Sequence, residues 1–158
     1  MKRAVVRVQF VVHPFDDSAR QARFGHGAEC PGYSGFRGPD TGAWAGRPLD
    51  EVAAQDPAAV RLWLTDPAYA PPGGESLDAL IARVGAELAG LPGGTHRVPV
   101  EQAVVRAAAV YALELPPAAF WRLDVRPDTV TTLTGRAGRW NLLLGAPAEG
   151  RGGAEGGA

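Results

Sequence analysis

The chain has 158 residues, of which 63 are Ala, Gly or Pro, and 15 of its 16 basic residues are Arg, a bias of the kind GC-rich coding produces and therefore no functional signal by itself. A formal net charge of −1 with both signs interspersed lacks the basic stripe of a nucleic-acid binder, and a single cysteine, Cys30, excludes an intrachain disulfide and a cysteine-rich zinc site. No apolar run approaches the roughly 18 residues of a membrane span, and Arg7 and Gln9 interrupt any signal-peptide core, so a soluble cytoplasmic protein with one hydrophobic core is expected.

Residues 4–12, rich in Val and Phe with Arg7 and Gln9 interleaved, read as a strand. Residues 16–23 open on Asp16, Asp17 and Ser18 and close on Arg20 and Arg23, a charge order that suits a short helix and its dipole. Residues 25–48 are rich in Gly and Pro and read as a long irregular segment. Short helices follow at 48–54 and 57–65, the second opened by Asp56-Pro57. From Glu75-Ser76 a longer helix runs to Gly90, with Leu77, Leu80, Ile81, Val84 and Leu88 on one stripe. Then come a strand at 96–100, an Ala/Val helix at 102–113 with little polar surface, and a turn of helix at Pro116-Pro117. Strands are predicted at 121–126, 129–134 and 139–144, the last two joined as a hairpin through Gly135–Gly138. The domain is placed at 1–145, and 146–158, nearly free of apolar bulk, as a disordered tail. This element order predicts a three-layer α/β/α sandwich with a mostly parallel sheet.

In such sheets ligands sit beyond the carboxyl ends of the strands. His13 lies just past the first strand and Glu101 just past the strand at 96–100, so both are candidate catalytic groups. A carboxylate beside an imidazole favours the protonated ring, and such a pair can do acid/base work; Glu101 is equally an acid placed to meet a helix dipole. Asp40 is a pocket acid or a turn former in Gly38-Pro39-Asp40. Glu75 is a helix-start acid or a site residue. Tyr33 and Trp44 either line a pocket for an apolar or aromatic ligand or cover the core. His26 and His96, in Gly-rich loops, read as solvated. No His and carboxylate spacing suits a metal, no phosphate loop is present, and no cofactor is expected.

Five pieces in order carry a resemblance: Asp40 to Arg47 (DTGAWAGR), Pro72 to Leu77 (PGGESL), Ala103 to Leu113 (AVVRAAAVYAL), Pro116 to Val125 (PPAAFWRLDV) and Gly138 to Asn141 (GRWN). Together with the first strand and His13, they resemble the histidine phosphatase (phosphoglycerate mutase-like) superfamily in a shortened form. The resemblance implies its fold, and a phosphoryl-accepting histidine at His13. It also implies an arginine at position 12, a second histidine at 101 and an acid at 38. Here those positions read Val12, Glu101 and Gly38, with Asp40 the nearest carboxylate. The helix and strand that carry a further phosphate-binding arginine in the family are replaced by residues 25–39, which leaves a sheet edge for a partner subunit in a homodimer to cover.

A phosphoryl-transfer pocket works mainly by positioning and by stabilising charge on the equatorial oxygens. Losing two arginines and a histidine while gaining a carboxylate changes several terms of one sign, each up to about 4 kcal/mol at ~4 Å and an effective dielectric of ~20. Arg37 and Arg47 could compensate only in part. The expectation is a small-molecule enzyme using His13 and Glu101, with Asp40 in reserve, for a lyase, cyclase or isomerase step. Tyr33, Arg37, Trp44, Arg47 and Glu75 are the candidate ligand-binding residues. A catalytically dead binding or interaction protein, and a phosphatase with a rearranged pocket, are the alternatives.

Overall fold

The computed structural model describes residues 4–13, 22–25 and 27–148. Strands β1 (Val6–Val12), β2 (Gly94–Val100), β3 (Thr129–Arg136) and β4 (Arg139–Pro147) form one sheet in the order β2-β1-β3-β4. β1 and β2 are parallel, and β3 is antiparallel to both β1 and β4. Three strands therefore point one way and β3 the other, while among hydrogen-bonded neighbours only β1 and β2 are parallel.

The alternation in β1 decides which face is covered. Val8, Phe10 and Val12 are buried, and their partners in register (Leu133 beside Val8, Val98 beside Phe10, Val100 beside Val12) extend the same apolar face across the sheet. The opposite face stays exposed at Arg7, Arg97 and Pro99. β3 and β4 are joined by a two-residue turn in which Ala137 and Gly138 both have positive φ, 54° and 79°, the turn that matches strand twist. β4 runs through Pro147, past the boundary expected at 145, and residues 149–158 of the expected tail lie outside the described residues.

Four helices complete the described fold: α1 (Leu49–Gln55), α2 (Pro57–Thr65), α3 (Leu77–Gly90) and α4 (Gln102–Ala112). The Asp56 carboxylate accepts from Ala59 N–H and Pro57 takes the first helical position, so α2 starts where the sequence placed it. Ser76 Oγ accepts from Ala79 N–H at 3.1 Å and caps α3, whose Leu77, Leu80, Val84 and Leu88 enter the core with Val8 and Phe10. In α4, Val104, Val105, Ala107, Ala108, Ala109 and Val110 are all buried, as its lack of polar surface predicted. A second cluster of Phe24, Trp44, Val52, Ala59 and Val60 gathers the irregular segment onto α1 and α2. Trp63 meets Trp121 edge to face at 4.7 Å and links this cluster to the main core.

Two expectations need correction or restriction. Residues 121–126 are not a strand: Pro117–Arg122 form a 3-10 turn, and an extended stretch follows without a ladder. Its carbonyls serve α4 instead. Leu123 O accepts from Arg106 Nε at 2.6 Å and Val125 O from Gln102 Nε2 at 2.7 Å. The helix expected at 16–23 lies outside the described residues except for Ala22 and Arg23, and Arg23 forms an isolated bridge with Pro48.

β2 is a sheet edge, and Pro99, with no N–H to donate, blunts it. The segment around 30–36 lies against it. Cys30 Sγ donates to Pro99 O at 3.6 Å, Tyr33 Oη and His96 Nδ1 are 3.0 Å apart, and Phe36 meets Phe10 edge to face at 5.1 Å. His96, whose Nε2 also meets Pro92 O at 2.8 Å, is thus a bridging group and not the solvated loop residue expected; His26 lies outside the described residues.

Candidate functional site

The site begins where β1 and β2 end. Val12 and Val100 are in register on adjacent parallel strands, spaced ~4.8 Å in sheets of this kind, so His13 and Glu101 leave the sheet side by side. Both line one cavity of about 630 Å³. Its floor is the strand ends, one wall is drawn from residues 23–25 and 28–41, another is Pro71 with the start of α3, and Phe120 and Trp121 close a third. Val12 is 3% exposed, part of the apolar floor where the resemblance placed an arginine.

Glu101 occupies the N-cap position of α4, yet its side chain makes no capping hydrogen bond. Its carboxylate lies instead against the backbone of Gly38 and within 3.7 Å of where a Cβ on Gly25 would stand. A Cβ on Gly38 would fall well inside 3.0 Å of that carboxylate, closer than real side chains approach. The acid that the resemblance assigned to position 38 is therefore absent, and the carboxylate of residue 101 fills the space beside it.

Arg83 holds the wall containing Gly38. Its guanidinium donates to Gly35 O at 2.9 Å, to Arg37 O at 2.9 Å, to Gly38 O at 3.3 Å, and to Glu75 Oε1 at 2.5 Å and Oε2 at 3.2 Å. Glu75 in turn accepts from Asp40 N–H at 3.0 Å. Glu75 lines the cavity, but its charge is spent on Arg83 and its geometry on the loop. Asp40 also lines the cavity, where Oδ1 accepts from Gly42 N–H at 2.9 Å in the turn. Gly42 has φ 54° and its backbone packs on Pro72 O, so the Gly-x-Trp and Pro-Gly-Gly-Glu pieces fit together only with glycine here.

Four expected ligand contacts lie elsewhere. Trp44 is buried in the second cluster, because the aromatic rings of Phe24, Trp63 and Tyr69 surround it. Tyr33 stacks on Phe36 and bonds His96. Arg37 is exposed and donates to Ser34 O at 3.1 Å, within its own turn. Arg47 pairs with Glu51 at 3.2 Å and also bonds Gln55, on the surface of α1. None of the four lines the cavity.

Among the described residues, the arginines that do line it are Arg23 and Arg106, neither of them a candidate on sequence grounds. Arg106 was marked by being the lone cation in a helix of Ala and Val. It is held by Leu123 O and lies 5.8 Å from the Phe120 ring centre; burial lowers its pKa, against an opposing pull from Asp124. Arg23 Nη1 donates to Gly46 O at 2.9 Å.

Cys30 also lines the cavity, 6% exposed. Burial, reinforced by the Glu87 carboxylate, pushes its thiol up, so the neutral form persists into alkaline solution. Alkylation by iodoacetamide is expected to be roughly tenfold or more slower than for free cysteine near pH 7.5, and to accelerate as pH rises. Rate measurement by intact mass checks this; a rate equal to that of free cysteine would count against the burial described.

Comparison with known proteins gives the same frame. A model of the histidine phosphatase superfamily (branch 1) matches residues 16–146, starting after His13. The alpha-ribazole phosphatase of Shigella flexneri superposes with a TM-score of 0.74 at 12% identity, covering 90% of this chain and 96% of that one. YhfR of Bacillus stearothermophilus gives 0.75 at 14% identity over 88% and 96% of the two chains. Mycobacterial glucosyl-3-phosphoglycerate phosphatase Rv2419c gives 0.68 at 18% identity over 94% and 100%. In sequence, 45 residues are 49% identical to the bifunctional protein Rv2228c of Mycobacterium tuberculosis, a match spanning 28% of this chain and 12% of that protein. Among the described residues no helix is long and apolar enough to cross a membrane.

Proposed function

The chain belongs to the histidine phosphatase superfamily (branch 1), and from that premise we propose that it is a divergent member. On this reading it has given up ordinary phosphomonoester hydrolysis and acts on a small molecule with His13 and Glu101 as an acid/base pair. The observation that carries it is the pairing of Val12 with Val100, which sends His13 and Glu101 from adjacent strands into one cavity, with a carboxylate where the family resemblance expects a histidine. Neutral imidazole takes a proton from the ligand, and the neighbouring carboxylate stabilises the imidazolium until the proton is returned, a cycle suited to a lyase, cyclase or isomerase step. Ionised Glu101 opposes phosphate binding at the same place, and Val12 supplies no compensating charge.

A second reading keeps the chemistry that the names of the alpha-ribazole and glucosyl-3-phosphoglycerate phosphatases carry. It is favoured by Arg23 and Arg106, which line the cavity although Arg37 and Arg47 do not. A phosphomonoester panel separates the two. The expected result with purified protein is release of inorganic phosphate no faster than the buffer blank for every ester. Robust turnover that disappears in His13→Ala would overturn the proposal and establish the second reading.

A further inference from the structure

The polar lining of the cavity is already occupied with holding its walls. Asp40 Oδ1 accepts from Gly42 N–H, Glu75 is paired with Arg83, and Gln102 Nε2 donates to Val125 O. Arg106 donates to Leu123 O and lies over the Phe120 ring. Arg23 and Glu101 are likewise engaged within the protein. Apart from Glu29 and His13, which are exposed, the charged side chains of the lining thus have work inside the fold. Turning one of them to a ligand's charge would break the contact it makes there. Exposed Glu29 keeps its water, so it discriminates weakly between ligand charges.

What the cavity offers instead is ring surface. Trp63 and Trp121 both line it, are only half-buried, and meet edge to face at 4.7 Å with an interplanar angle of 73°. Phe120, itself buried, meets Trp121 at 5.0 Å and fixes that ring, and Leu77 and Leu80 of α3 add aliphatic lining. A flat ring can join such a pair, stacked on one indole and edge-on to the other. About 630 Å³ is room for a drug-sized molecule, and an apolar lining with few available polar groups is how such sites select one. We infer that the ligand is an uncharged molecule with a flat aromatic body seated at Trp63 and Trp121. This rests on the acid/base reading above, since it leaves His13 to the ligand's polar end.

The test is calorimetric titration of the full chain near neutral pH with 1-naphthalenemethanol, 1-naphthalenemethylamine and 1-naphthyl phosphate, which share a ring system and differ in charge. The alcohol is expected to bind roughly tenfold more tightly than either charged probe. Trp63→Leu and Trp121→Leu, which keep apolar bulk, are each expected to weaken the alcohol roughly threefold to tenfold. Cys30 lines the same cavity and gives a readout on the unaltered chain: the alcohol at saturation is expected to slow its alkylation by iodoacetamide at least roughly threefold. That protection decides the seat if either tryptophan variant fails to fold. Should the amine bind as tightly as the alcohol, the uncharged class is wrong while the acid/base reading stands. Should the alcohol bind with both tryptophan variants unaffected and Cys30 unprotected, its seat is elsewhere and the inference fails. Tightest binding of naphthyl phosphate, lost in His13→Ala, would overturn both the inference and the reading. Failure of all three to bind at millimolar concentration would overturn the inference, and the phosphomonoester panel would still decide the reading beneath it.

Discussion

Arg83→Met is expected to cost about 3–5 kcal/mol of folding stability, because it leaves Glu75 as a nearly buried carboxylate without its cation. The side chains of Arg83 and Glu75 are 14% and 15% exposed, so water recovers little of the loss. Three backbone carbonyls, of Gly35, Arg37 and Gly38, lose a charged donor in the same step. Against a typical total of about 5–15 kcal/mol, such a variant sits near the edge of folding. Urea unfolding of Arg83→Met, Glu75→Gln and the double variant checks the account. The double variant is expected to lose less than the two singles combined, since removing both partners strands no charge. Strict additivity would mean that the pair does not act as a unit. Arg37→Ala, by contrast, is expected to stay within about 0.5 kcal/mol, because its side chain bonds only Ser34 O within its own exposed turn.

That contrast shows what was legible in the sequence. Helices α2 and α3 were readable because their signals are local: Asp56-Pro57 and Ser76 make caps within three residues, and the Leu77 to Leu88 stripe needs only the helical period. The placement of His13 and Glu101 past the strand ends, at the cavity, was readable for a related reason, since a residue just past a strand of a parallel pair lies at the carboxyl end of the sheet. Position 83 was not, because its partners are 8 to 48 residues away in sequence, and an arginine inside an amphipathic helix looks solvent-facing until the 34–40 segment is laid over it. Arg37 and Arg47 misled for the opposite reason: charge is visible in a sequence, while the turn at Ser34 and the helix face shared with Glu51 that absorb it are not. The missing strand at 121–126 follows the same logic. The Phe-Trp-Arg-Leu pattern suits a pleat, but ladder pairing is non-local, and Gln102 and Arg106 reach its carbonyls first.

Gly38→Ala is expected to destabilise by about 1 kcal/mol, the low end of the range for forcing a methyl into a filled site, because the group it meets is the movable end of the Glu101 side chain; that is a few degrees in melting temperature for a domain of this size. Backbone shift is resisted on both sides, since Gly38 N–H donates to Ala28 O at 2.9 Å and Gly38 O accepts from Arg83. The new Cβ meets the Glu101 carboxylate instead, and that side chain must turn away from its seat. The cause is therefore a pair, and a double-mutant cycle can isolate it. In a Glu101→Ala background, Gly38→Ala is expected to cost little, because the space it enters has been emptied. An equal cost in both backgrounds would place the clash in the backbone and sever Gly38 from Glu101. A large coupling would instead tie the two departures from the family pattern together: a side chain at position 38 and the carboxylate of residue 101 compete for one volume, so the chain can hold an acid there from only one of them. In this sequence it comes from the end of β2, beside His13, and the proposed proton transfer rests on that arrangement.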